Sequence, residues 1–130
     1  MGNFNLKNSD FIPPKAAQEN AERGLRLRAK WERGGTQVGV ARARDIKNGS
    51  RLSEDTIKRM ASFNRHRKNY QPDKKESDGG PTAGTIAWLL WGGTEGIDWA
   101  IKLSSKIEEQ AGQKNKMNKE TNQYLSLIHI

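Results

Sequence analysis

The chain contains no cysteine, which excludes a disulfide scaffold, a thiolate metal site and a cysteine nucleophile. Histidine is almost as scarce: His66 and His129 are the only two, so metal-ligand spacing is absent. No apolar run is long enough to span a bilayer, and no charged-then-apolar leader opens the chain, so a soluble, intracellular protein is expected. Gly-Gly pairs stand at 34, 79 and 92, but none precedes Lys-Ser or Lys-Thr, so no phosphate-cradling P-loop is implied. The acidic pairs Glu54-Asp55 and Glu108-Glu109 are explained by helix capping and surface solvation. With no constellation that could carry catalysis, a non-enzymatic protein is expected, without metal, cofactor or small-molecule substrate. Hydrophobic residues, at 33%, fall below the usual share, so the core of this 130-residue chain is small and belongs to one domain.

Positive charge is what the chain has in excess. The net charge is +8 and the pI about 9.9, and the excess is local. Residues 15–75 hold 17 Lys or Arg against 7 Asp or Glu, while the remainder holds 6 against 8. Such asymmetry is the electrostatic footprint of a nucleic-acid binder. The plainer alternative is a set of solvated helix faces that keep a small protein soluble.

The pattern predicts an all-α fold, a small single-domain bundle of about five short helices with flexible ends. A flexible segment is expected over 1–12, the helical domain over 13–111 and a disordered tail over 112–130. Pro13-Pro14 opens the first helix, which runs to about Trp31 with Ala17, Ala21, Gly24, Leu25 and Trp31 on one face. Arg28 projects from that apolar side and is expected to find Asp45. Gly34-Gly35 ends the helix and Thr36 caps the next, over Gln37 to Lys47, which Asn48-Gly49 closes. Ser53 caps a third helix, Glu54 and Asp55 complement its dipole, and Leu52 is placed to staple onto Ile57. Ile57, Met60 and Phe63 form its inward stripe, with Lys58, Ser62 and Arg65 pointing away. A Gly, Pro, Lys and Asp loop covers Lys68 to Pro81. The stretch "TAGTIAWLLW" is a buried fourth helix, and Thr94 is expected to cap a fifth that turns Ile97, Ala100, Ile101, Ser104 and Ile107 inward. Trp88, Trp91 and Trp99 are read as core residues rather than base-stacking platforms; Trp31, flanked by Arg28 and Arg33, is more open.

The closing "LSLIHI" is abruptly apolar after a polar stretch. Back-translated as CTG TCT CTT ATA CAC ATC, it matches the end of a transposase adapter used in sequencing libraries. Leu125 to Ile130 are therefore expected to be adapter-derived; the alternative is a terminal turn docked on the core.

The second and third helices, joined by "NGSRLS", suggest a helix-turn-helix-like pair with the third as reader. The candidate nucleic-acid-binding residues are Arg42, Arg44, Arg51, Lys58, Arg59, Arg65, His66 and Arg67, placed to meet phosphates or base edges. The spacing is loose for the motif, because Ala41 precedes Gly49 by eight positions and the connection is long.

The strings "RGGTQVGVARARDIKNGSRLSEDTIKRMASFNRHRKN" and "AGTIAWLLWGGTEGIDWA" resemble a family of small, mostly uncharacterised proteins and domains encoded by tailed bacteriophages. The resemblance spans Pro13 to about Ile107. It is carried by Arg33, Gly34, Gly35, Val40, Arg42, Arg44, Asp45, Leu52, Ser53, Arg65, His66, Trp88, Trp91 and Trp99. Similar segments occur beside or within phage head-assembly proteins, so it implies a virion or packaging role and residence in the cytoplasm of an infected bacterium or in the virion. The partners expected are therefore nucleic acid, DNA in the first place, or phage head proteins. No catalytic residue comes with the resemblance. It also leaves Asp45, beside Arg42 and Arg44, open to two readings: a buried ion pair locking helices together, or part of a binding face.

Overall fold

The computed structural model describes the backbone of residues 6–129 and the side chains of residues 6–112. Five α-helices follow in order: α1 (Lys15–Trp31), α2 (Gln37–Lys47), α3 (Glu54–Ser62), α4 (Ala83–Leu90) and α5 (Gly93–His129). Short 3-10 turns cover Asn8–Phe11 and Phe63–Asn69. Among the described residues the sole β-type pairing is the isolated bridge between Lys75 and Pro81, so the fold is all-α.

Local chemistry sets the boundaries. Pro14 lies one position outside α1, as its N-cap. The helix stops where Glu32 enters the left-handed region (φ 51°) and donates its N–H to Arg28 O. Gly34 (φ 94°) then turns the chain against α4, where a Cβ would lie 2.6 Å from Ile86 Cβ; only glycine fits both the conformation and the space. Thr36 Oγ1 accepts the Gly39 N–H (3.1 Å) and Ser53 Oγ the Thr56 N–H (3.1 Å), so both expected caps form. Thr94 does not cap α5. The helix already starts at Gly93, and the Thr94 hydroxyl accepts the Trp88 indole N–H at 3.1 Å. A buried indole needs an acceptor, and that need claims the hydroxyl.

The core forms where the apolar stripes meet. α1 lies against α2, α4 and α5, while α3 lies against α5. Trp88, Ile46, Ile57, Met60, Ile86, Leu90 and Ile97 are fully buried, each such side chain contributing about 1.5–3 kcal/mol relative to exposure. Trp88 and Trp91 belong to this core, and Trp99 packs half-buried against it. The close approach of α1 rests on small residues: a Cβ on Gly24 would stand 2.7 Å from Leu90 N, and one on Gly96 3.0 Å from Ala17 Cβ. Leu103 is also buried in α5, whereas Ile101 and Ser104, expected inward, are half-buried.

Several expectations change. Within residues 6–12, Phe11 is buried, its carbonyl accepts the Leu52 N–H (2.9 Å), and Asn8 Oδ1 accepts from Arg51 (3.0 Å). Phe11 belongs to the core and Leu6 packs against it; residues 1–5 lie outside the described set. The polar stretch 113–129, part of the expected disordered tail over 112–130, continues the backbone of α5. From Gln113 to His129 no glycine or proline interrupts the chain, so nothing local stops the helix. The adapter reading of 125–130 falls on residues whose side chains lie outside the described set. Lastly, α2 and α3 are consecutive but rest on different partners, α1 and α5. They are not each other's main packing partners, and Leu52 in the link between them is buried at 3% exposure.

Candidate functional site

The 3-10 turn Phe63–Asn69 extends α3 and packs on α4, and a cleft opens along it. The cleft is open, about 410 Å³ in volume, and is lined by Arg59 and Ser62 of α3, by Phe63, Arg65, His66 and Asn69 of the turn, by Gly84 and Ala87 of α4, by Trp91, and by Gly35 and Thr36 at the start of α2. Helical spacing explains the set. Arg59, Ser62, Phe63 and His66 recur at steps of three, one and three, which places them on one side of a continuous helical path.

The cleft has an apolar floor and a basic rim. Phe63 stacks on Trp91, ring centroids 5.4 Å apart and planes 24° apart. The His66 ring meets Phe63 at 4.8 Å and 51°, and its Nδ1 lies 3.4 Å from Asn69 Nδ2. Trp91 makes no hydrogen bond through its indole N–H among the described residues. Its Nε1 faces Gly39 of α2, where an added Cβ would stand 3.3 Å away. The first turn of α2 opens on the same cleft at Thr36, adding the positive end of a helix dipole.

On the rim, Arg59 pairs with Asp55 at 3.2 Å, with side-chain exposures of 59% and 79%. A pair so open to water is worth about 0–1 kcal/mol and is easily exchanged for another anion. Arg65 donates from Nη1 to Ser62 Oγ (2.7 Å); a guanidinium has five N–H donors, so most remain free. The Ser62 hydroxyl accepts from Arg65 and the Thr36 hydroxyl from the Gly39 N–H.

The eight candidate residues are not gathered on one patch. Arg59, Arg65 and His66 line the cleft. Arg44 lines a separate hollow between α1 and α2, with Arg28 and Lys47. Arg42 bonds Asp45 within α2 at 3.0 Å, both partners about two-fifths exposed (35% and 43%); the pair is neither buried nor between helices. Arg51 bonds Asn8 and lies over the Phe11 ring at 4.7 Å. Arg67 bonds Asp98 of α5 and lies over Trp88 at 5.1 Å, so it ties the 3-10 turn to the core. Lys58 is exposed on α3. The dispersal follows from the packing, since α2 and α3 lie against different helices.

Arg28 of α1 and Arg33 just beyond its end also find structural work. Arg28 donates from Nε to Gly34 O (2.9 Å) rather than to Asp45, satisfying a carbonyl just past the helix end. Arg33 donates two bonds to Asp78, at 2.8 and 2.9 Å, and one to Pro81 O. Together with the Gly80 N–H, this guanidinium holds the Asp78 carboxyl down to about 2; the reciprocal bond raises Arg33. Trp31 is covered by the loop, with Gly80 packed on its indole and Arg33 above the ring at 5.5 Å.

Phe63 and Trp91 are the cleft residues that sequence reasoning assigned to the core alone. The signal was the i, i+3 spacing of Arg59, Ser62, Arg65 and their neighbours, which runs past the end of α3. Among the described residues no three His, Asp or Glu side chains converge on a metal-sized site, and no helix is long and apolar enough to cross a membrane. The chain matches no family model, no curated protein and no solved structure.

Proposed function

We propose that this chain is a non-enzymatic, phage-encoded nucleic-acid-binding protein that holds phosphates at the rim of the 3-10-turn cleft. One observation carries the reading: Arg59, Arg65 and His66 converge around an aromatic floor on the strongly basic part of the chain. Exposed guanidiniums with spare donors suit phosphate oxygens, and their fixed fork makes two-point contacts that a lysine does not. The phage origin rests on the motif resemblance.

The test is a salt series. Phosphate neutralisation releases condensed counterions, so log affinity falls linearly with log salt, by about 0.7–0.9 per phosphate contact. Fluorescence anisotropy of a labelled oligonucleotide, read from 50 to 200 mM salt, is expected to show a clear negative slope. A flat line contradicts the proposal.

A second reading, a head-assembly or virion accessory protein that binds other proteins, is favoured by the arginines already neutralised by carboxylates: Arg33 by Asp78, Arg42 by Asp45 and Arg67 by Asp98. It predicts no salt-dependent nucleic-acid binding, and co-purification with capsid, protease or portal components.

A further inference from the structure

We infer that the cleft takes a single unpaired nucleobase on Phe63 with an adjacent phosphate on Arg59 and Arg65, so that the partner is a single strand rather than a duplex. This rests on the nucleic-acid reading above and sharpens it.

The rim alone would suit any polyanion; the floor would not. A duplex presents phosphates and sugars on its outside and keeps its base faces stacked inside, so a hollow floored by Phe63, Ala87 and Trp91 has nothing apolar to receive from it. An unpaired base brings a flat π-face to an aromatic ring, an interaction tolerant of sequence because every base has such a face. The size agrees: about 410 Å³ lies in the range of pockets that enclose small organic ligands, roughly 300–1,000 Å³.

Phe63 is half-buried, its ring steadied by Trp91 at 5.4 Å, so it offers surface without needing to be ordered on binding. Donors surround it. Arg65 donates one guanidinium nitrogen to Ser62 and keeps most of its five N–H donors. Asn69, 3.4 Å from His66, adds an amide that can both donate and accept along a base edge. Hydrogen bonding of that kind to an edge needs a base taken out of its pair.

The native protein tests this with four probes of equal label: a short oligothymidylate, the same length as duplex, the same length with abasic sites, and free thymidine monophosphate. The expected result is single-strand affinity about tenfold or more above duplex, as one base stacked on an aromatic ring supplies, and loss of that advantage on the abasic strand. Phe63→Leu, checked for an intact thermal transition, is expected to remove the same advantage while leaving the salt slope unchanged. Equal affinity for single strand, duplex and abasic strand, with a normal salt slope, overturns this inference and leaves the phosphate reading standing. Absence of salt-dependent binding to every probe overturns both. Monophosphate binding as tight as the oligonucleotide overturns the strand as occupant and makes the cleft a free-nucleotide site.

Discussion

Phe63 and Trp91 stack face to face, 5.4 Å between centroids, and so join the end of α3 to the end of α4 beneath the basic rim of the cleft. Phe63 therefore serves packing and surface together. Fully buried Phe→Ala changes cost about 3–5 kcal/mol; for this half-buried ring, Phe63→Ala is expected to lower stability by about 2 kcal/mol, read as a shift in urea midpoint. A shift near zero would mean that Trp91 holds its place without the stack.

Gly24 faces the backbone of α4. Alanine in a helix interior is favoured over glycine by about 1 kcal/mol, yet a Cβ here would meet Leu90 N at 2.7 Å and Leu89 C at 3.0 Å. Overpacking against backbone costs about 1–3 kcal/mol, so Gly24→Ala is expected to be net destabilising by about 1 kcal/mol. A raised melting temperature would show that α1 and α4 separate easily.

The Asp78 carboxylate should report on the loop between the 3-10 turn and α4. Its folded pKa, about 2, is depressed below its unfolded value, so its contribution is present above the unfolded value near 4 and fades as pH falls through about 2. The carboxyl carbon shift in an NMR titration is expected to move with a midpoint near 2. Asp78→Asn is expected to speed tryptic cutting at Lys74 and Lys75 at neutral pH, because Arg33 then loses its charged partner. Unchanged cutting would mean that Arg33–Pro81 and the Trp31 contact hold the loop unaided.

Much of the fold was legible because it depends on local chemistry. The bounds of α2 follow from Thr36 and Gly49, the start of α3 from Ser53, and the buried α4 from its unbroken apolar run. Partner choice was not legible. Arg28 had Asp45 as a plausible carboxylate, but Gly34 O lies nearer to hand once the chain has turned. Arg67 and Asp98 are 31 positions apart, a separation that helical periodicity does not address. The candidate site was half visible. Arg59, Arg65 and His66 stood out by charge, whereas Phe63 and Trp91 looked like core because a residue can be core on one side and floor on the other. The gathering of all eight cations failed to appear for a topological reason, the parting of α2 and α3 onto different helices.

The most direct measurement compares two charge reversals in the same salt series: Arg59→Glu with Arg65→Glu on the cleft rim, and Arg44→Glu with Lys47→Glu in the hollow by α1. Both pairs change net charge equally and sit on exposed side chains. The rim pair is expected to weaken oligonucleotide binding at least tenfold and to flatten the salt slope by about 1.5, the share of two phosphate contacts; the α2 pair is expected to leave the slope unchanged. Equal losses from both pairs, or a loss from the α2 pair alone, would contradict a phosphate site at the cleft.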